Sequence, residues 1–389
     1  MKDLRVALIS RTPFPVGPVS TIRYSTYCKA FARYGVYTKV YVLHPSKSLE
    51  AKLHKETVGV FDEIEFEYIS SSTYWSESLS VYIKQIIYLI NVIKSLFSLK
   101  RDNISVIILY HHDLYSVLVY RVFCSIFRIN FITDKTEYPY FFKSYGRLKK
   151  FIKKIELSMF DRYLVMTREL FDFYSYFLKK NKDKFFHLPM TIDISRFDNI
   201  LNEESIEPYI ACTFGVHNRD SVIDTLKAYY IYKNNVTEPW NLFLFGNFDA
   251  LENSKELIYF IESHKIKNLV KIKGLLSSNE IPYQLVNSMC LITTAREYTS
   301  GGFPTKLGEY LATRKPVVCT AAGEIPIYLE DEISAYLAKP GDIDEIAKKL
   351  ICVHENYDNA LRVAAMGYRV AETEFNANNK VFKILEFIS

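Results

Sequence analysis

The first regular pattern in the chain is a short apolar run, Val6-Ala7-Leu8-Ile9, with polar residues on both sides. A continuous run of this length reads as a strand buried on both faces, the kind found in parallel sheets. The period then changes. Residues 20–34 carry apolar positions at helical spacing and stop at Gly35, and residues 38–43 return to a strand pattern. Strands are also expected over 105–110 and 130–133, with a helix over 114–127 between them.

A second cycle starts near Tyr209. Strand patterns cover 210–214, 241–245, 270–272, 290–293 and 316–319, and helical patterns cover 221–232 and 305–313. Gly215, Gly246 and Gly274 stand just beyond strand ends. Such alternation implies right-handed crossovers and parallel sheets, with ligands held beyond the carboxyl ends of the strands. The chain therefore reads as α/β, two doubly wound units joined near residues 190–208.

A length of 389 residues fits two such cores better than one. The expected division is 1–195 for the first domain and 196–372 for the second. Residues 373–389 are expected to form a C-terminal helix packing back on the first domain.

Charge and cysteine usage narrow the function classes. A formal charge of +5 is too small and diffuse for nucleic acid, but suits contact with phosphates or an anionic membrane surface. The cysteines Cys28, Cys124, Cys212, Cys290, Cys319 and Cys352 are scattered without a C-x-x-C pair. That spacing argues against a disulfide framework or a zinc site and fits a reducing, cytoplasmic compartment. Lys2, Asp3 and Arg5 precede only the short apolar run, so no secretory signal is expected at the start.

Two segments bear on membranes. Residues 81–99 are largely apolar but are interrupted by Lys84, Gln85, Asn91 and Lys94. The expectation there is an amphipathic helix with its polar groups on one side rather than a membrane span, in a protein that is soluble or at most peripheral. Residues 143–154 interleave basic and aromatic residues. They read either as a solvated helix face or as a patch for anionic lipid headgroups.

Chemistry concentrates in one stretch: Gly301-Gly302-Phe303-Pro304-Thr305-Lys306-Leu307-Gly308-Glu309-Tyr310-Leu311-Ala312. A glycine pair leads into a helix whose first amides are unpaired and whose dipole favours negative charge, so a diphosphate can dock there. Lys306 in the first turn adds a cation. Glu309, one turn after Thr305, is an acid on an otherwise apolar helix, and a carboxylate accepts the paired hydroxyls of a ribose.

This string, continued by Lys315-Pro316-Val317-Val318, resembles the signature of family 4 retaining glycosyltransferases of the GT-B fold, in the P-x-K-L-x-E-Y variant of bacterial polysaccharide-assembly enzymes. Ala322-Gly323-Glu324-Ile325-Pro326 and Lys339-Pro340-Gly341-Asp342 resemble the next two blocks of that family. The resemblance implies two Rossmann-like doubly wound domains facing a central cleft, the second holding the nucleotide sugar. It implies transfer of a sugar, of hexosyltransferase type, from a UDP- or GDP-sugar to a hydroxyl of a saccharide or lipid-linked saccharide, with the anomeric configuration retained. The nucleotide sugar is then a co-substrate, with no cofactor and no metal required.

The resemblance assigns roles to positions. His112, Arg219, Lys306 and Glu309 form the candidate catalytic set. Gly17, Gly215, Glu297, Gly301, Gly302, Phe303, Pro304 and Thr305 are candidate donor contacts, and His111, Asp113 and Glu137 lie on the acceptor side. The tandem His111-His112 has no third ligand at useful spacing, so no metal is expected there. Three departures stand out. The family's first glutamate falls on Gly301, with Glu297 four residues earlier; its first arginine falls on Val216; and Pro18 replaces a loop glycine. A nucleotide-sugar epimerase and a non-catalytic sugar- or membrane-binding protein on the same scaffold are the competing readings.

Overall fold

The computed structural model describes residues 3–17, 19–47, 54–75, 79–139, 144–198, 200, 207–215, 221–298 and 301–389. The chain divides into two compact units. One holds residues 1–191 together with 300–302 and 377–389, and the other holds 192–299 and 303–376.

The first unit is built on an eight-stranded sheet in the order β3-β4-β2-β1-β5-β6-β7-β8. Its strands are β1 (Arg5–Ser10), β2 (Tyr37–Val42), β3 (Val58–Phe61), β4 (Ile64–Tyr68), β5 (Val106–Leu109), β6 (Asn130–Lys135), β7 (Arg162–Val165) and β8 (Phe185–His187). All neighbours pair in parallel except β3 with β4. That antiparallel pair is joined by Asp62-Glu63, both with positive φ (48° and 69°). Positive φ at both central positions marks a two-residue hairpin turn, which here forms without the usual glycine or asparagine.

The crossover helices are α1 (Val19–Arg33), α2 (Val81–Arg101), α3 (Leu114–Phe127), α4 (Arg147–Ser158) and α5 (Arg168–Leu178). Right-handed connection places α2 to α5 in one layer, since each carries the chain in the same direction across the sheet. A C-terminal helix, α13 (Ala377–Ile388), packs against α1 in the opposite layer, with Ile384, Leu385 and Ile388 sharing a core with Tyr24 and Tyr27.

Beneath that layer lies an ion pair with both partners buried. Arg23 donates through Nε and Nη2 to the two oxygens of Asp134 (2.9 and 3.0 Å) and to the carbonyls of Pro189 and Leu188. The remaining donors are thereby satisfied, which is what a buried charge needs in order not to be destabilising.

The second unit has a six-stranded, all-parallel sheet in the order β11-β10-β9-β12-β13-β14. The strands are β9 (Tyr209–Thr213), β10 (Asn241–Phe245), β11 (Val270–Gly274), β12 (Cys290–Thr293), β13 (Val317–Thr320) and β14 (Tyr336–Ala338). Their helices are α6 (Val222–Asn235), α7 (Ser254–Ser263), α8 (Ile281–Val286), α9 (Thr305–Ala312), α10 (Ile325–Tyr328), α11 (Ile343–Glu355) and α12 (Tyr357–Val370). The core joins Leu226, Tyr229 and Tyr232 of α6 to Ile346, Leu350 and Val353 of α11. The buried tyrosines keep partners: Tyr229 donates to the Trp240 carbonyl (3.0 Å), and Tyr232 accepts from the Trp240 amide (3.1 Å).

One expectation changes in α2. Of the polar residues expected together on one side, Lys84, Gln85 and Lys94 are exposed or half-buried but Asn91 is buried, as are Ser95 and Ser98, while Ile83, Ile86, Ile90, Ile93 and Phe97 are exposed. The inward polar groups have specific partners: Asn91 donates to the Leu43 carbonyl (2.8 Å), Ser95 pairs with the Tyr120 hydroxyl (2.7 Å) and Ser98 donates to Glu67 (2.8 Å).

Candidate functional site

In an open parallel sheet the ligand crevice lies where strand order reverses. In the second unit that point falls between β9 and β12. Beyond β9 come Phe214 and Gly215; beyond β12 come Thr294, Ala295 and Arg296. The start of α6 is latched there: Thr294 Oγ1 donates to the Ser221 carbonyl (2.8 Å) and pairs with Thr225 Oγ1 (2.8 Å).

Arg296 is a cation at this edge. Its Nε and Nη2 each lie 2.7 Å from an oxygen of Asp224. The carboxylate is fully buried while the guanidinium side chain is 61% exposed, so the acid acts as a fixed socket for a cation held toward solvent. A planar guanidinium held in two directions is suited to a phosphate. Neither residue was singled out from sequence, because they lie 72 positions apart and Asp224 is one acid on an ordinary helix.

Helix α9 carries the motif residues. It buries Leu307, Gly308, Tyr310, Leu311 and Ala312, leaving Thr305, Lys306 and Glu309 half-buried. Tyr310 anchors it to β9 by accepting from the Thr213 amide (2.7 Å) and pairing with its hydroxyl (2.9 Å). Lys306 Nζ donates to the Thr213 carbonyl (2.7 Å), which fixes its ammonium at the end of the central strand. Glu309 takes Arg196 Nη1 on Oε1 (2.6 Å), and Arg196 in turn donates to the Ser278 carbonyl (2.7 Å). A carboxylate oriented by one arginine keeps further acceptor positions. Arg196 escaped the sequence reading because only the fold brings it to Glu309, 113 positions away.

Ahead of α9, Phe303 packs edge-on against Tyr328 (centroids 5.4 Å apart) and against Phe375 (5.7 Å), and Pro304 is buried at the helix start. Gly302 is buried as well, and Glu297 is exposed one residue past Arg296. Gly301 belongs with the first unit, where its carbonyl accepts from Thr167 Oγ1 (2.8 Å). Its φ is +75°, and a Cβ there would meet Tyr138 and Leu170 side-chain carbons at 2.8 and 2.9 Å. Conformation and crowding together account for a glycine where the signature has a glutamate. Arg219 and Val216 lie outside the described residues.

In the first unit the reversal falls between β1 and β5, and its carboxyl edge is occupied by the unit's own side chains. Ser10 Oγ pairs with Thr12 Oγ1 (2.8 Å) and stands 3.4 Å from His111 Nδ1. Gly17 is a packing glycine, since a Cβ would lie 2.5 Å from the Pro13 carbonyl oxygen. Asp113 caps α3, accepting from the Ser116 amide (2.9 Å), and pairs with Arg11 (3.3 Å). The Glu137 carbonyl accepts from the Tyr174 hydroxyl (2.8 Å).

The His112 ring is only 3% exposed and is engaged at both nitrogens. Nδ1 lies 2.7 Å from Glu156 Oε1 and Nε2 lies 2.6 Å from Lys135 Nζ, while Glu156 also takes Lys153 (2.8 Å). The arrangement is self-consistent with a neutral ring that donates from Nδ1 and accepts the ammonium at Nε2. Burial, with the Lys135 charge beside it, lowers the His112 pKa to about 3. His111 is lowered to about 4 by the same two causes with Arg11 added, and burial beside Lys153 lowers Lys135 to about 8. A ring held this way cannot shuttle protons near neutrality.

Residues 202–370 match the family model of glycosyl transferases group 1. Among curated proteins none matches the sequence. Among solved structures, the chain is similar to HepE of Anabaena in complex with UDP, with a TM-score of 0.71 at 13% identity over 98% of this chain and 99% of that one. A glycosyltransferase from Rickettsia africae gives 0.71 at 14% identity, covering 99% and 98%. Sucrose-phosphate synthase from Thermosynechococcus elongatus gives 0.73 at 12% identity, covering 98% of each. At such identities the likeness speaks for the fold, which is GT-B with two Rossmann-like units. Within that fold, the match to glycosyl transferases group 1 covers residues 202–370.

Proposed function

We propose that the chain is a retaining glycosyltransferase of hexosyltransferase type. It moves a sugar from a UDP- or GDP-sugar to a hydroxyl of a saccharide or lipid-linked saccharide, in the cytoplasmic assembly of a bacterial surface polysaccharide or glycolipid such as capsule. The observation that carries this reading is the set of oriented charges at the reversal point of the second sheet. Arg296 is held by the buried Asp224, Lys306 by the Thr213 carbonyl and Glu309 by Arg196.

Cleavage of a sugar–phosphate bond places charge on the departing diphosphate, and a fixed guanidinium lowers that barrier more than a mobile one. Arg296 and Lys306 supply positive charge for the phosphates, with the amides at Gly302–Phe303 as donors. Arg219 is a further candidate cation. Glu309 accepts the ribose hydroxyls, and the His112 carbonyl contacts the transferred sugar. Retention requires departure and arrival on one face of that sugar, so catalysis rests on positioning and electrostatics more than on a conventional base.

The test is calorimetry with UDP, GDP and their sugar conjugates, followed by a nucleotide-release assay. Binding of a sugar nucleotide, with release that rises on adding a saccharide acceptor, is the expected result. Release without any dependence on acceptor would indicate an epimerase, and no binding to any of them would end the proposal.

A further inference from the structure

The outward face of the first unit's layer α2–α3–α4 is apolar where a soluble protein's surface helices are polar. In α2 the stripe is Ile83, Ile86, Ile90, Ile93 and Phe97, the last 74% exposed. In α3 it is Leu118, Val122 and Ile126, with Ile126 68% exposed. In α4 it is Leu148, Phe151, Ile152 and Ile155, with Leu148 71% exposed. Residues three or four apart recur in each set (in α4, Leu148 with Phe151 and Ile152, and both with Ile155), so each forms one stripe along its helix.

The helices adjoin: α2 packs on α3 and α3 on α4. The stripes therefore lie side by side. The orientation of α2 is fixed by the inward hydrogen bonds of Asn91, Ser95 and Ser98, so the apolar stripe faces outward because the polar groups are needed inside. An apolar area of this extent on one face marks an interaction surface.

Charge identifies what it meets. The three helices carry ten basic residues, of which Arg101, Arg121 and Lys153 are paired with carboxylates, and one acid, Glu156, which is buried against His112 and Lys153. Lys94, Lys100, Arg147 and Lys149 are exposed on or beside the stripes. A second copy of the chain would bring like charge against like charge, which disfavours self-association. Apolar side chains interleaved with cations are the pattern of a surface that sits in the headgroup region of an anionic bilayer. We infer that the α2–α3–α4 face docks the protein on an anionic phospholipid membrane. Helix α2 is long and apolar enough to cross a membrane, but the hydrogen bonds of Asn91, Ser95 and Ser98 tie it to the first unit, so in this docking it lies along the interface. Docking is independent of the sugar-transfer reading, because it needs neither donor nor acceptor.

The experiment is flotation of the full chain, without sugar nucleotide, on vesicles of phosphatidylcholine alone and of equal parts phosphatidylcholine and phosphatidylglycerol. The wild type should float with the anionic vesicles only. Ile90→Glu and Phe151→Glu should each cut partitioning by about tenfold or more. Lys149→Gln should cut it by about fivefold, and raised salt should weaken it further. All three positions are exposed, and circular dichroism with a thermal melt verifies that each variant is folded. Absence of flotation, or equal flotation on both vesicles, overturns the inference. So does a dimer in light scattering that Ile90→Glu dissolves while neither protein binds lipid.

Discussion

The two sheets reverse strand order in the same way, yet their carboxyl edges are furnished differently. At the first, polar groups are closed on one another: Ser10 with Thr12, and His112 between Glu156 and Lys135, above the Arg23–Asp134 pair. At the second, the buried Asp224 holds the exposed Arg296, and Lys306 and Glu309 are oriented at half-buried positions. The same topology therefore serves internal cohesion in one unit and charge presentation in the other. Motif position alone does not tell the two uses apart; partner burial does.

The sharpest way to break this comparison is Arg23→Met, which leaves Asp134 charged and buried. It should cost about 3–5 kcal/mol in denaturant unfolding while leaving the nucleotide affinity of the folded fraction unchanged. Should the affinity collapse with no loss of stability, the first edge would be a ligand site after all.

Acid should separate the units next. His111 and His112 bind protons more readily in the unfolded chain, where their pKa is ordinary, than in the fold, where it is about 4 and about 3. Their neutral state is therefore favourable above the ordinary histidine pKa, and stability falls as pH drops below it. Between pH 7 and about 4, His112 alone should account for about 3 kcal/mol. Glu156, held low chiefly by its hydrogen bond to His112, against the opposing effect of burial, pushes in the same direction. Hydrogen exchange resolved along the sequence should show the loss in residues 3–191; a uniform loss would argue against this account.

Smaller effects are expected at the second edge. Glu309→Gln removes the charge that Arg196 orients, and calorimetry should register a fall in nucleotide affinity of about thirtyfold, roughly 2 kcal/mol, with the melting temperature little changed. Arg296→Met should weaken sugar-nucleotide binding by about tenfold. Asp224→Asn should do so by less, since it loosens the guanidinium without removing it. If Arg296→Met binds as well as wild type, the cation faces something other than the donor.

What was legible in the chain was whatever local pattern could encode. Strands β1, β5, β9, β12 and β13 are continuous apolar runs, and parallel strands buried on both faces leave that trace. The hairpin β3–β4 left none, because Asp62 and Glu63 occupy a turn that usually advertises itself with glycine or asparagine. Helix α2 was recognisable as a helix but its facing was not, since Asn91, Ser95 and Ser98 face inward only because Leu43, Tyr120 and Glu67 await them. At the candidate site, Lys306 and Glu309 were named as candidates from the motif. Arg196, Asp224 and Arg296 were not, because each acts through a partner that only folding brings near.

The seating of α13 has a consequence for synthesis. The apolar surface of α1 around Tyr24 and Tyr27 is completed by Ile384, Leu385 and Ile388, more than 350 positions later. During translation the unit begun first is thus the one finished last, its hydrophobic wall open while the whole of the other unit emerges from the ribosome.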